Sequence, residues 1–471
     1  MQYILVYIFC LIGVFAISQN KQILYGFDDV PQSLLLNPGA KVPQKKHYGI
    51  PFLSQLHFNG GSSGVTVYDI FKEGTGDIND RITEKIFEMK NTDFFTATQQ
   101  LELVNFGWRA QNEIYFSGGI YQEFDFIFYF PRDLAILTWQ GNRDYLDYEF
   151  NFGEISTTGD FLTVYHFGLN KQITNKLNLG IRFKLYSSMA SFRSVNNYGT
   201  FVTTLGDENS ENIYEHTVKN ANVSVQTSGI ASLTEMETSS QIVGEILGRT
   251  LFGGNIGVGV DLGFNYDITS ALSVSASAID LGAIFHSKDV ETYTAHGNYT
   301  LDGINLLFPP LSQGETTFPY YEDLEDELER EFPIDTIYSG YTQMRPVKLN
   351  AAINYGFGFF NSSGACDCLN MDNGNIYKHN IGLQFYSIFR PKGAQLAGTF
   401  YYHRRLSEFL STKATYTIDS YATSNIGLGM STTIGNLNFY LAADNLLKYG
   451  NLAKAKSVSL QLGFNIIIDE E

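Results

Sequence analysis

Several groups of residues have the types and spacing that chemistry needs, and each also has a plainer reading. Gly60-Gly61-Ser62-Ser63-Gly64 matches the G-x-S-x-G spacing with which hydrolases hold a serine nucleophile on a tight strand-to-helix turn. It runs into Val65-Thr66-Val67-Tyr68, a strand pattern, so it reads as a turn. Glycines 254, 257, 259 and 263 are as dense as in a phosphate loop, but no helix N-terminus follows to hold an anion. They read as small residues on the inner face of a strand, where another part of the chain can approach. Cys366-Asp367-Cys368 lies close to Asp372-Asn373-Gly374, and no histidine is nearer than His379. Two thiols fall short of the four ligands of a closed zinc site, and Asn-Gly is a hairpin signal, so this reads as a loop without metal. The eight histidines are scattered, with no HExxH and no base beside a nucleophile. Neither catalysis nor a cofactor nor a metal site is expected.

The elements that would position any site alternate with period 2, which marks strands with two unlike faces. In residues 177–186, Leu177, Leu179, Ile181, Phe183 and Leu185 share one face, with Asn178, Gly180, Arg182, Lys184 and Tyr186 on the other. Val258, Val260, Leu262, Phe264 and Tyr266 oppose Gly257, Gly259, Asp261, Gly263 and Asn265, and residues 348–359 and 457–468 repeat the pattern. These runs match the roughly 9 to 11 residues of a tilted membrane strand and exceed the five or six of an average soluble one. Charges cannot face hydrocarbon cheaply, so Arg182, Lys184 and Asp261 are expected in a lumen. Phe124, Phe126, Phe128 and Phe130 form a ring-rich outer face, which leaves Tyr121 and Tyr129 inside.

Composition agrees. The chain carries 37 Phe, 30 Tyr and 44 Gly beside 11 Pro, and after residues 1–18 it has no second long apolar run, which excludes a helical membrane protein. Residues 1–18 form an apolar stretch too short for a bilayer crossing and ending in Ala16-Ile17-Ser18, the pattern of a cleaved export signal. A formal charge of -18 argues against nucleic acid. The expectation is one all-β domain over residues 19–471: a transmembrane antiparallel barrel in the outer membrane of a Gram-negative bacterium, surrounded by lipid.

Short turns at residues 173–176, 268–270, 434–436 and 390–393 fit the periplasmic end, and longer polar stretches fit the outside. The longest, residues 287–345, contains a helix candidate over 319–333 with Tyr321, Leu324, Leu328 and Phe332 on one stripe and acidic residues elsewhere. That stripe is a candidate protein-binding surface, although such charge runs are usually solvated faces. Residues 77–90 form a second helix candidate, capped by Asp77, that either plugs the lumen or packs on the rim.

Three segments carry a family resemblance. DVPQSLLLNPGAKVPQKKHYGIPFLSQLHF (residues 29–58), SASAIDLGAIFHSK (275–288) and AADNLLKYG (442–450) resemble signatures of a family of Bacteroidota outer-membrane barrels described as a domain of unknown function, with Gly39 where relatives commonly have Ala. More distantly that family is similar to FadL-like barrels. The resemblance implies about 14 strands (12–16), an N-terminal segment (residues 19–47) plugging the lumen around Asn37, Pro38 and Gly39, and passage of a small hydrophobic ligand with lateral exit into the membrane. The alternative it implies is a non-transporting barrel subunit of a surface, secretion or assembly complex, with protein partners at the long loop. No catalytic residues come with it.

Overall fold

The computed structural model describes residues 22–74, 76–206, 213–236, 238–301, 334–359 and 377–468. Residues 1–18, the helix candidate at 319–333 with Tyr321, Leu324, Leu328 and Phe332, and the Cys366-Cys368 loop lie outside them.

Fourteen strands close an antiparallel wall. In chain order they are β1 (Lys46–Gly49, resuming at Leu56–Ser62), β2 (Phe94–Arg109), β3 (Tyr115–Tyr129), β4 (Ser156–Thr174), β5 (Leu177–Ser194), β6 (Asn255–Asp267) and β7 (Leu272–His286). There follow β8 (Tyr341–Met344, resuming at Lys348–Phe359), β9 (Tyr377–Arg390), β10 (Gly393–Arg405), β11 (Leu410–Asp419), β12 (Asn425–Ile434), β13 (Leu437–Ala443) and β14 (Ser457–Ile468). Each pairs with its neighbours in sequence. The wall closes because β1 also pairs with β14, Lys46 opposite Ile468 and Leu56 opposite Leu462. Closure is what hydrocarbon demands, since an open edge would leave backbone groups unpaired.

The alternation is spent as its polarity dictates. Leu179, Phe183, Val258, Leu262, Ile353, Leu383 and Phe400 are exposed on the outer face, whereas Arg182, Lys184, Asp261, Asn350 and Gln384 are buried inside. Two interruptions stand out. In β1, residues 50–55 depart from regular strand geometry while keeping backbone bonds to β2 and β14, with Phe52 and Leu53 turned outward and Ser54 and Gln55 fully buried. In β7, the register against β6 slips between Val260 and Leu262, and Asp280 adopts φ +62°.

Both chain ends of the wall lie at one end of the barrel, and the long connections after β3, β5 and β7 lie at the other. Strand order places the 173–176, 268–270 and 434–436 turns with the chain ends. The 390–393 turn, expected there too, sits instead among the long connections: Lys392 Nζ donates to the Glu154 side chain at 2.5 Å. A short connection does not reveal its end; the parity of strands does. The 287–345 stretch is likewise not all loop. Val290–Leu301 and Ile334–Ile337 join Tyr198–Leu205 and Tyr214–Ser228 in an antiparallel sheet that continues above β5.

Helix α1 (Ile78–Glu88) begins where expected, Asp77 accepting from the Asn79 amide at 2.9 Å. Its Ile86, with Met89, packs on Ala135 and Ile136 of α2 (Arg132–Trp139) and on Phe150, among the long connections. Such packing makes it a rim helix.

The two faces of β8 offer a direct check of this wall. Arginine in place of Ile353, which faces lipid, should cost about 2–4 kcal/mol of folding stability in bilayers. The same change at the adjacent, inward Asn354 should cost much less; equal costs in denaturant titrations would reject the assigned faces.

Candidate functional site

Residues 22–45 enter the lumen from the end that carries the chain termini and stay there. They form two short 3-10 turns, Gln22–Leu24 and Pro31–Leu35. Leu24, Phe27 and Val30 pack on Tyr440, Leu34 and Ala40 on Tyr115, and Leu35 on Tyr121, Leu162, Val164, Tyr186 and Ile284. Full burial of such side chains contributes roughly 1.5–3 kcal/mol each.

An irregular segment brings no ladder of its own, so its buried carbonyls need other donors. The wall supplies them. Asn170 Nδ2 donates to Pro38 O (2.6 Å) and Ala40 O (2.8 Å), Asn178 Nδ2 to Gly39 O (3.0 Å), and Ser277 Oγ to Leu36 O (2.6 Å). The Arg182 guanidinium donates to Leu34 O. Lys413, fully buried, donates to Tyr25 O at 2.5 Å with its ammonium 4.2 Å from the Tyr401 ring centroid. Gln32 reaches across the closing joint, donating to Glu102 of β2 (3.0 Å) and Asn465 of β14 (2.8 Å).

Asn37, Pro38 and Gly39 form the tightest contact with the wall. The Asn37 side chain accepts from the Gly39 amide (2.9 Å) and donates to Phe264 O (3.2 Å). Backbone meets backbone here. A Cβ on Gly263 would overlap the Asn37 side chain, one on Gly180 the Pro38 carbonyl, and one on Gly39 the Gly263 carbonyl.

Above this segment the lumen is wired by ion pairs. Arg182 pairs with Asp261 (3.2 Å), Asp261 with Lys184 (2.9 Å), Lys184 with Asp280 (2.6 Å) and Asp280 with Lys348 (2.8 Å). Lys348 approaches Glu123 (3.8 Å), and Arg345 joins Glu123 (2.5 Å) to Asp160 (3.0 Å). Beside this ladder Arg390 grips Asp125 through two bonds of 2.6 and 2.9 Å. Acids and bases are equal in number, as burial requires, because an unpaired ion out of water costs several kcal/mol. Arg182, Lys184 and Asp261 thus come together. The alternation missed their partner Asp280, since the β7 bulge turns it inward and aims its amide at Asp261 Oδ1 (2.8 Å). Arg345 was missed because it sits in the gap of β8.

A small cavity, about 80 Å³, lies between the N-terminal segment and the long connections. Its floor is Gln22, Leu35 and Leu36; its wall mixes Tyr121, Tyr386, Ile279 and Ile388 with Lys348, Asp280 and Arg390. Tyr421 and Leu396 line it nearer the long connections. Tyr129 is buried beside Phe94, which also contacts Tyr421. Among the described residues no group of three or more His, Cys, Asp or Glu is placed to hold a metal ion.

Within the N-terminal segment two neighbouring carboxylates differ. Burial pushes Asp28 up to about 6. Burial also pushes Asp29 upward, but His403, whose Nε2 lies 3.4 Å away, and the Arg405 guanidinium overcome it and hold Asp29 well below the usual carboxylate range.

Three outcomes follow from this geometry. Gly263→Val should displace the Asn37-Pro38-Gly39 turn, seen as a gain of protease sensitivity confined to residues 22–45. Asp280→Ala leaves Lys184 and Lys348 short of a carboxylate and should cost about 3–5 kcal/mol in denaturant unfolding. A carboxylate with a raised folded pKa penalises the docked state in full above that pKa, and the penalty fades as pH falls from there toward the free carboxylate value. The stability advantage of Asp28→Asn over wild type should therefore shrink from about pH 8 to about pH 5; a constant gap in thermal melts would contradict this placement.

No curated protein matches the chain. Among solved structures it is similar to the toluene transporter TodX of P. putida (8% identity, TM-score 0.40, covering 93% of this chain and 95% of that one). It is similar also to the toluene transporter TbuX of Ralstonia pickettii (11%, 0.40, 93% and 94%) and to a Pseudomonas aeruginosa FadL homologue (9%, 0.40, 94% and 96%). With TM-scores under 0.5 these likenesses assign this chain neither substrate nor site residue. The sequence profile of a family of unknown function, DUF5723, matches residues 38–444, from the Pro38-Gly39 turn to the end of β13, and the chain belongs to that family.

Proposed function

We propose that the protein is a FadL-like outer-membrane channel that admits a small, largely hydrophobic solute from the long-connection end into a cavity floored by its own N-terminal segment. The observation that carries this reading is the floor itself. Leu35 and Leu36 belong to the segment that fills the lumen, so solute and segment contend for one space. The segment acts as a plug, and Asn37, Pro38 and Gly39 are its hinge against the wall. Exit into the membrane is assigned to residues 50–55 of β1, where the strand is irregular and Phe52 and Leu53 already face outward. Tyrosines and paired charges in the lining favour a solute whose apolar body bears a polar group, since a purely apolar one would leave those groups without water or partner.

A second reading, a barrel subunit of a surface complex, is favoured by the sheet above β5. It exposes Tyr198, Leu205, Ile334 and Ile337 on strands that no lipid covers.

Mild-detergent isolation from the native outer membrane, with mass spectrometry of bound compounds and proteins, separates the two. The channel reading expects one enriched apolar compound, lost when Ile388 and Ala397 are replaced by tryptophan to fill the cavity. A stoichiometric protein partner with no enriched compound would reject it and favour the subunit.

A further inference from the structure

One exposed apolar surface belongs to neither the wall, the lumen nor the cavity. In the β5–β6 connection, helix α3 (Ser239–Gly248) runs into a kinked turn, Arg249–Gly253, in which Leu251 and Phe252 leave helical geometry. Val243, Leu247 and Leu251 recur at i, i+4 and i+8 and are 56%, 60% and 72% exposed, with Phe252 beside them. The single charge in α3, Glu245, is spent on Arg249 at 2.9 Å.

This surface is rigidly fixed. Arg249, almost wholly buried, donates to Met189 O (2.9 Å), to Gly229 O (2.5 Å) and to Ser232 Oγ (2.7 Å), and pairs with Asp289 (3.3 Å). Moreover, the fixing is to the outside of the barrel. Tyr165 and Ser187 point outward from β4 and β5, since Val164 and Tyr186 beside them pack in the lumen. The Tyr165 hydroxyl donates to Thr250 O (2.8 Å), and Ser187 Oγ donates to Arg249 O (2.6 Å). The Phe252 ring stacks on Tyr165 at 4.4 Å, with Phe252 at φ +69°, a conformation a bulky residue keeps only when its surroundings compel it. The turn thereby covers outward Thr163 and Ser187, both fully buried.

Height on the barrel identifies what meets the stripe. A tilted strand crosses the hydrocarbon in roughly 9 to 11 residues, so β5, which starts at Leu177, leaves it near Ser187. Below that level the same part of the wall exposes Phe167, Phe183 and Val258 to lipid, and Ile256, paired with Ser187, is exposed at that level. The stripe continues that belt upward at the level where an uncharged apolar helix face settles into the headgroup and acyl boundary. We propose that α3 and the kinked turn after it form an interfacial anchor, with Val243, Leu247, Leu251 and Phe252 seated in the membrane leaflet at the long-connection end. Lipid is the occupant. The anchor fixes the barrel's depth and keeps two wall hydroxyls out of contact with hydrocarbon, and it does so whether or not the lumen conducts a solute.

The test uses nitroxide labels on the full barrel carrying Cys366→Ser and Cys368→Ser, reconstituted in phospholipid vesicles. Labels go singly at Leu247→Cys and Leu251→Cys, with Lys219→Cys on the sheet above β5 as the aqueous reference. Folding of each variant is read from its heat-dependent gel mobility, and two stripe positions guard against failure of one. At both stripe positions collisions with oxygen should exceed those with a water-soluble nickel chelate several-fold, the reverse of Lys219. Nickel collisions as frequent as at Lys219 would overturn the proposal. So would labels open to nickel in vesicles but shielded from both reagents in native membranes, which would mark a protein partner instead.

Discussion

Everything inside this barrel depends on the pairing of charges taken out of water. Arg182, Lys184, Arg345 and Lys348 stand opposite Asp261, Asp280, Glu123 and Asp160 in one run that crosses from β3 to β8. Each ion would cost several kcal/mol alone, so no member can be removed without stranding another. The run ends on a carbonyl of the N-terminal segment, through Arg182 and Leu34. The wall electrostatics and the lumen contents are therefore one system: a change in the cavity at Lys348 is felt four pairs away by the segment below.

Steric fit supplies the rest. Paired charges set where the segment can lie, but glycines decide how near it comes, because Gly180 and Gly263 let backbone touch backbone at Pro38 and Gly39. That closeness puts the Pro38 and Ala40 carbonyls within reach of Asn170, a side chain too short to bridge a wider gap.

The wall was largely legible in the sequence because its solvent is not water on either side alone. Lipid outside and polar groups inside impose period 2 on nearly every strand, and the faces of residues 177–186 and 257–266 could be assigned from that alone. What escaped the alternation were the places where the period breaks. Asp280 sits on a bulge that exchanges inside for outside, and Asp160 precedes another, at Phe161 and Leu162. Arg345 lies between two pieces of a strand. These irregular positions carry half of the ladder's acids and one of its bases, because a bulge is how a strand aims a side chain that regular geometry would point elsewhere. The contacts of residues 22–45 were hidden for a different reason. They join groups up to 433 residues apart, and an irregular segment has no period to announce its partners.

The reach of Gln32 from β2 to β14 bears on how the closing joint is held. The joint between the first and last strands is the final one a barrel completes, and here β1 is itself broken at residues 50–55 within that joint. A side chain from the enclosed segment ties the two strands flanking the break. The seam of the wall is thus held in part from within, by the segment that the wall encloses.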